Sequence, residues 1–148
     1  MTESSALQPL VLITGASSGI GQALAWRFYQ AGYRLALVAR RVSELETWVT
    51  AQGISGSSYQ IYSADVCDTD AMVRMGAECC ASQGLPDVVI ASAGISIGID
   101  TAVRADVDVM AKVLATNNIG MMATFHPFVQ AMQARGSGTL VGIASVGA

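Results

Sequence analysis

A chain of 148 residues suffices for one domain with a full core, and 52% hydrophobic against 13% charged residues makes that core rich. A net charge of −3 argues against the basic footprint of a nucleic-acid binder, and no apolar run approaches the roughly 20 residues that cross a bilayer. Three cysteines, with Cys79 and Cys80 adjacent, make neither a disulfide framework nor a zinc spacing, so small core hydrophobes in a reducing cytoplasm are expected.

In chain order, Met1 to Pro9 is polar, lacks a signal-peptide pattern and is expected to fray. Leu10 to Ile13 is an unbroken apolar run, the pattern of a parallel strand buried on both faces. Thr14 to Gly21 follows with three glycines spaced Gly-x-x-x-Gly-x-Gly, and a helix is predicted at once. Its inner face is Ile20, Leu24, Ala25 and Phe28, its outer face Gln22, Arg27 and Gln30, and its stop Gly32. Leu35 to Ala39 is a second strand, and Arg40 and Arg41 occupy the turn after it. Ser43 and Glu46 are spaced as a capping box for a short helix through Leu45, Trp48 and Val49. After a Gly-Ser loop, Tyr59 to Ala64 is strand three, with Asp65-Val66 at its end.

Asp68 or Thr69 caps a third helix, with Met72, Met75 and Cys79 inward and Gly84 at its stop. Asp87 to Ala91 is strand four, and Ser92 to Thr101 a glycine-containing loop. One long helix is expected over 106–134, with a stripe from Met110 through Asn117 and Thr124 to Phe128; Pro127 should kink or interrupt it. Thr139 to Ile143 is strand five, followed by Ala144-Ser145.

Strands and helices alternate without an internal repeat, so the fold class is α/β: a doubly wound parallel sheet with helices on both faces. Right-handed crossovers give the strand order 3-2-1-4-5. Ligands of such sheets bind beyond the carboxyl ends of the strands, and Thr14, Arg40, Asp65, Ser92 to Gly94 and Ser145 all fall on that edge. A glycine turn feeding a helix N-terminus there suits an anion such as a pyrophosphate. No Lys-Ser or Lys-Thr follows the last glycine, so it is not a P-loop.

With these motifs in this order, the chain from Val11 onward resembles the N-terminal part of the short-chain dehydrogenase/reductase family, a Rossmann-like fold. Thr14-Gly15-x-x-x-Gly19-Ile20-Gly21 is similar to its cofactor signature, Asp65-Val66 to its adenine-contacting pair, Asn117-x-x-Gly120 to its long-helix motif, and Ser145 to its strand serine. The resemblance implies cofactor contacts from Gly15, Ser17, Ser18, Gly19, Ile20, Gly21, Arg40, Asp65, Val66, Ala93 and Gly94, and catalytic roles for Ser145 and Asn117. It implies no metal. A small-molecule carbonyl or alcohol is the implied substrate.

Several residues have a second reading. Ala39 removes the acid that in NAD-preferring folds holds the ribose 2′-hydroxyl, and Arg40 offers a planar fork to a 2′-phosphate, so NADP is favoured over NAD. The alternative is a pair of solvated turn arginines. By position alone, Asp65 serves equally well to cap backbone amides, and Ser145 is better read as a turn serine. Asn117 either kinks the helix within a proton relay or satisfies a helix carbonyl. Ser92 replaces the family's asparagine, which predicts a weaker junction between strands, and His126 is expected on the outer face of its helix.

The family's proton donor is the tyrosine of a Tyr-x-x-x-Lys pair beyond the serine. None of Tyr29, Tyr33, Tyr59 and Tyr62 lies at the expected substrate edge, and Lys112, the only lysine, is on the long helix. Residues 1–148 are therefore expected to be the cofactor-binding domain of a longer protein, inactive alone, with the family's later strands and helices beyond Ala148. Strand five would then be a bare apolar edge, and self-association through 106–134 is expected. A dinucleotide sensor without turnover, or an inactive remnant, are the competing readings.

Overall fold

The structure, a computed structural model, describes residues 8–145. Five strands lie parallel in the order β3-β2-β1-β4-β5, the order expected from the crossover rule. They are β1 (Leu10–Thr14), β2 (Arg34–Ala39), β3 (Tyr59–Ser63), β4 (Val88–Ala91) and β5 (Thr139–Gly142), each within a residue or so of its predicted limits. β1 is the centre and is wholly buried. Its residues alternate between two cores, Leu10 and Leu12 facing one and Val11 and Ile13 the other. That is why its apolar run is unbroken rather than alternating.

The helices are α1 (Gly19–Gln30), α2 (Val42–Ala51), α3 (Thr69–Ser82), α4 (Arg104–Leu114) and α5 (Gly120–Arg135). Ala25, Leu45 and Val49 of α1 and α2 close one core; Met72, Met75, Cys79 and Phe128 of α3 and α5 close the other. Asp68 caps α3, its Oδ1 accepting from the Ala71 amide at 2.9 Å.

Four local expectations are corrected. The capping box of Ser43 and Glu46 does not form, because α2 begins at Val42 with Arg41 at its N-cap and no side-chain cap bond. Arg41 instead pairs with Glu44 at 3.0 Å. Ile20 is not a core residue but is 61% exposed. Gln22 is half-buried rather than outward, donating to the Ser17 carbonyl at 3.2 Å. Cys79 is a core residue, but Cys67 is exposed.

The long helix is not one regular helix. A π-helical turn, Ala115–Ile119, separates α4 from α5, and α5 runs unbroken through Pro127. The ring of Pro127 sits against Gly76 of α3, where any Cβ would collide with it, so close helix packing accompanies the missing amide. The stripe is buried only in α5, at Thr124 and Phe128; α4 buries no residue at all.

Candidate functional site

The cleft at the carboxyl edge of the sheet has a volume of about 700 Å³. The turn after β1 and the start of α1 form one wall, the end of β2 with Arg40 and Arg41 a second, and Ala64 to Cys67 after β3 a third. Ser92 to Ile95 after β4, together with Lys112, Ala115 and Thr116, complete it. Gly19 and Asp65 thus face the same space.

The glycines of the β1 turn do different jobs. Gly15 sits at φ +65°, and a Cβ on it would lie 2.8 Å from Cα of Ala93, so the loops after β1 and β4 touch main chain to main chain. Gly21 is in backbone contact with Gly15, and a Cβ there would overlap it. Gly19 has open space around it and faces the cleft. Ser18 precedes α1 without making a side-chain cap bond, which leaves the first-turn amides to an acceptor from outside the chain. A narrow glycine cradle ending in bare amides fits a pyrophosphate.

Thr14, only 1% exposed, joins this turn to β4. Its Oγ1 accepts from the amides of Ser92 and Ala93 at 3.2 and 3.3 Å. The junction that a serine at 92 was expected to weaken is made by Thr14, whose hydroxyl reaches across between neighbouring strands.

Asp65 divides its carboxylate. Oδ1 accepts from the Cys67 amide at 2.9 Å, while Oδ2 lies 3.8 Å from the Arg40 guanidinium. Val66, buried, packs against Gly120, where a Cβ would lie 2.7 Å from its Cγ2. Asn117, in the π turn, holds Ile95 by both main-chain groups, with Oδ1 accepting from its amide and Nδ2 donating to its carbonyl, each at 2.8 Å. Asn-x-x-Gly is therefore a pair of fasteners: Asn117 pins the loop after β4, and Gly120 lets the helix approach the loop after β3.

Of the candidate residues, Gly15, Ser17, Ser18, Gly19, Ile20, Gly21, Arg40, Asp65, Val66, Ala93 and Gly94 all line the cleft. The two catalytic candidates do not. Asn117 stands behind Ile95, its side chain committed to main chain, and Ser145 is exposed beyond the end of β5. Unforeseen cleft residues include Cys67, Lys112 and Thr116. The Cys67 Sγ lies 3.3 Å from the Thr116 Oγ1. Lys112 and Thr116 lie one helical turn apart, just ahead of Asn117, and that spacing was the signal available for them. His126 is exposed, as expected.

A family model described as short chain dehydrogenase matches residues 9–148. A Drosophila melanogaster protein named dehydrogenase/reductase SDR family protein 7-like is 36% identical over 141 residues, covering 93% of this chain and 43% of that one. The NADP-dependent 3-hydroxy acid dehydrogenase YdfG of Shigella flexneri is 28% identical over 136 residues, covering 92% of this chain and 54% of its own length. Among solved structures, the closed form of a serine dehydrogenase complexed with NADP+ superposes with a TM-score of 0.83 at 28% identity, covering 93% of this chain and 54% of that one. The chain spans about half the length of these relatives.

Proposed function

The chain belongs to the short-chain dehydrogenase family, and from that premise we propose that it holds a nicotinamide dinucleotide, NADP in preference to NAD, along the carboxyl edge of its sheet. The observation that carries this is the convergence of the glycine turn, Arg40, Asp65 and Gly94 on one cleft. The amides between Gly15 and Gly21 would hold the pyrophosphate, Asp65 and Val66 the adenine, and Arg40 the 2′-phosphate. The named NADP-dependent and NADP-bound relatives support the cofactor choice.

When bound, the dinucleotide supplies or accepts hydride, and the substrate is a small carbonyl compound or alcohol. This chain's share of the work is binding and orientation. Asn117 fixes the wall that Ile95 contributes, and Ser145 polarises the substrate oxygen. The exposed Val107, Met110 and Leu114 on one face of α4 join two copies of the chain.

Titration of the purified chain with NADPH and NADH, followed by nicotinamide fluorescence, tests the assignment. Saturable binding with NADPH the tighter ligand is expected; binding of neither overturns it. Arg40→Ala should erase the preference while leaving NADH affinity in place. A second reading, binding without turnover by this chain, is favoured by the exposed position of Ser145 and by a cleft whose lining includes no tyrosine among the described residues. Carbonyl reduction by the chain with NADPH would overturn that second reading.

A further inference from the structure

Two arginines follow β2, and each faces a carboxylate. Arg41 is held by Glu44 of α2 at 3.0 Å, whereas Arg40 reaches the carboxylate of Asp65 across the cleft mouth at 3.8 Å. Both partners of the second pair are open to solvent, with side chains 70% and 43% exposed, and both line the cleft. Asp65 cannot swing away freely, because its other oxygen is tied to the Cys67 amide at 2.9 Å. The free oxygen is thereby aimed at the guanidinium.

We propose that Asp65 is a positioning residue for cofactor choice: it holds Arg40 across the cleft, so a ribose 2′-phosphate is bound by exchange with this carboxylate and not by simple addition. The inference rests on the dinucleotide reading and deepens it. A ligand lacking the 2′-phosphate leaves the Arg40–Asp65 pair intact. A ligand carrying it must draw the guanidinium away from the carboxylate, so part of its gain is offset by the pair that is broken. Asp65 therefore narrows the advantage that Arg40 confers. The pair is exposed, so the effect is modest and shrinks with added salt.

The experiment compares adenosine 2′,5′-bisphosphate with 5′-AMP, ligands that differ only at the 2′ position, by isothermal titration of the full chain. The readout is the ratio of the two dissociation constants, from which a general loss of fold or of adenine contact cancels. Asp65→Asn, whose amide oxygen still accepts from Cys67, should raise the preference for the bisphosphate about two- to fivefold. Asp65→Ser, which also keeps an acceptor, should do the same and serves if the asparagine variant does not fold. Arg40→Gln should abolish the preference, and adding Asp65→Asn to it should change nothing further. An unchanged ratio in the Asp65 variants overturns the proposal. So does an increase that persists without Arg40, since Asp65 would then repel the phosphate directly. If the wild-type chain binds neither ligand, it is the dinucleotide reading that falls.

Discussion

Asn117 spends its whole amide on one residue, accepting from the Ile95 main-chain N–H and donating to the Ile95 carbonyl at 2.8 Å each. A β-strand neighbour would offer the same two groups, so the side chain acts as one rung of a ladder between a helix and a loop. The π turn carrying it, Ala115–Ile119, sits where the long helix passes the cleft. Replacing Asn117 by alanine should leave the Ile95 groups without their partner, lowering stability by about 1–3 kcal/mol. Thermal unfolding checks the cost. NADPH titration should show weaker binding although Asn117 does not line the cleft.

Gly15 is predicted to tolerate no side chain. Its φ of +65° strains any other residue, and a Cβ would meet Ala93 main chain at 2.8 and 2.9 Å. Gly15→Ala should separate the loops after β1 and β4, destabilise the fold and abolish dinucleotide binding. Gly19→Ala meets nothing within 4 Å, although its φ is +55°. That variant should lose about 1 kcal/mol from strain alone. Comparing the two melting temperatures separates close approach from backbone conformation.

The chain should lose stability progressively above about pH 9. Burial pushes the Cys79 thiol up from 9.0 to about 12, and burial likewise raises the Tyr62 phenol above its ordinary value of 10.0. Between these limits the unfolded chain releases protons that the folded one keeps, so rising pH favours unfolding. The stabilising contribution is complete below the unfolded pKa and disappears as pH passes the folded one. Melting temperatures between pH 7 and 11 check this. Cys79→Ala should start lower, with a cavity in the core, yet decline less steeply.

Arg135 is expected to matter for stability far from the cleft. Its guanidinium donates to the carbonyls of Leu85 and Pro86 at 3.1 and 2.7 Å and to that of Ser137 at 3.0 Å. It also faces Asp87 at 3.7 Å, whose other oxygen accepts from the Leu10 amide at 2.8 Å. One side chain thus ties the end of α5 to the entry of β4. Arg135→Ala should cost roughly 1–3 kcal/mol in denaturant unfolding, with NADPH affinity little changed.

Leu114→Lys is the corresponding test of the α4 face. Leu114 is 49% exposed, so a charge there should leave the melting temperature within about 0.5 kcal/mol equivalent. Light scattering should show association of the wild-type chain and a monomeric variant. A monomeric wild type at micromolar concentration would remove the proposed contact between copies.

Much of this protein was legible in its sequence because the relevant physics is local. An unbroken apolar run such as Leu10 to Ile13 bounded by a glycine turn fits a strand covered on both faces, and alternation of strands with helices fits a parallel sheet built from right-handed crossovers. Gly32, ending α1 at positive φ, and Asp68, capping α3, serve their own segments, so short spacing reveals them. Only the tertiary structure decided what distant residues do to each other. Asn117 pins Ile95, Gly120 admits Val66, Thr14 bonds the loop after β4, and Asp65 faces Arg40. Pro127 likewise stands inside α5 with its ring against Gly76 of α3, a neighbour distant in sequence whose position the chain's own periodicity does not encode.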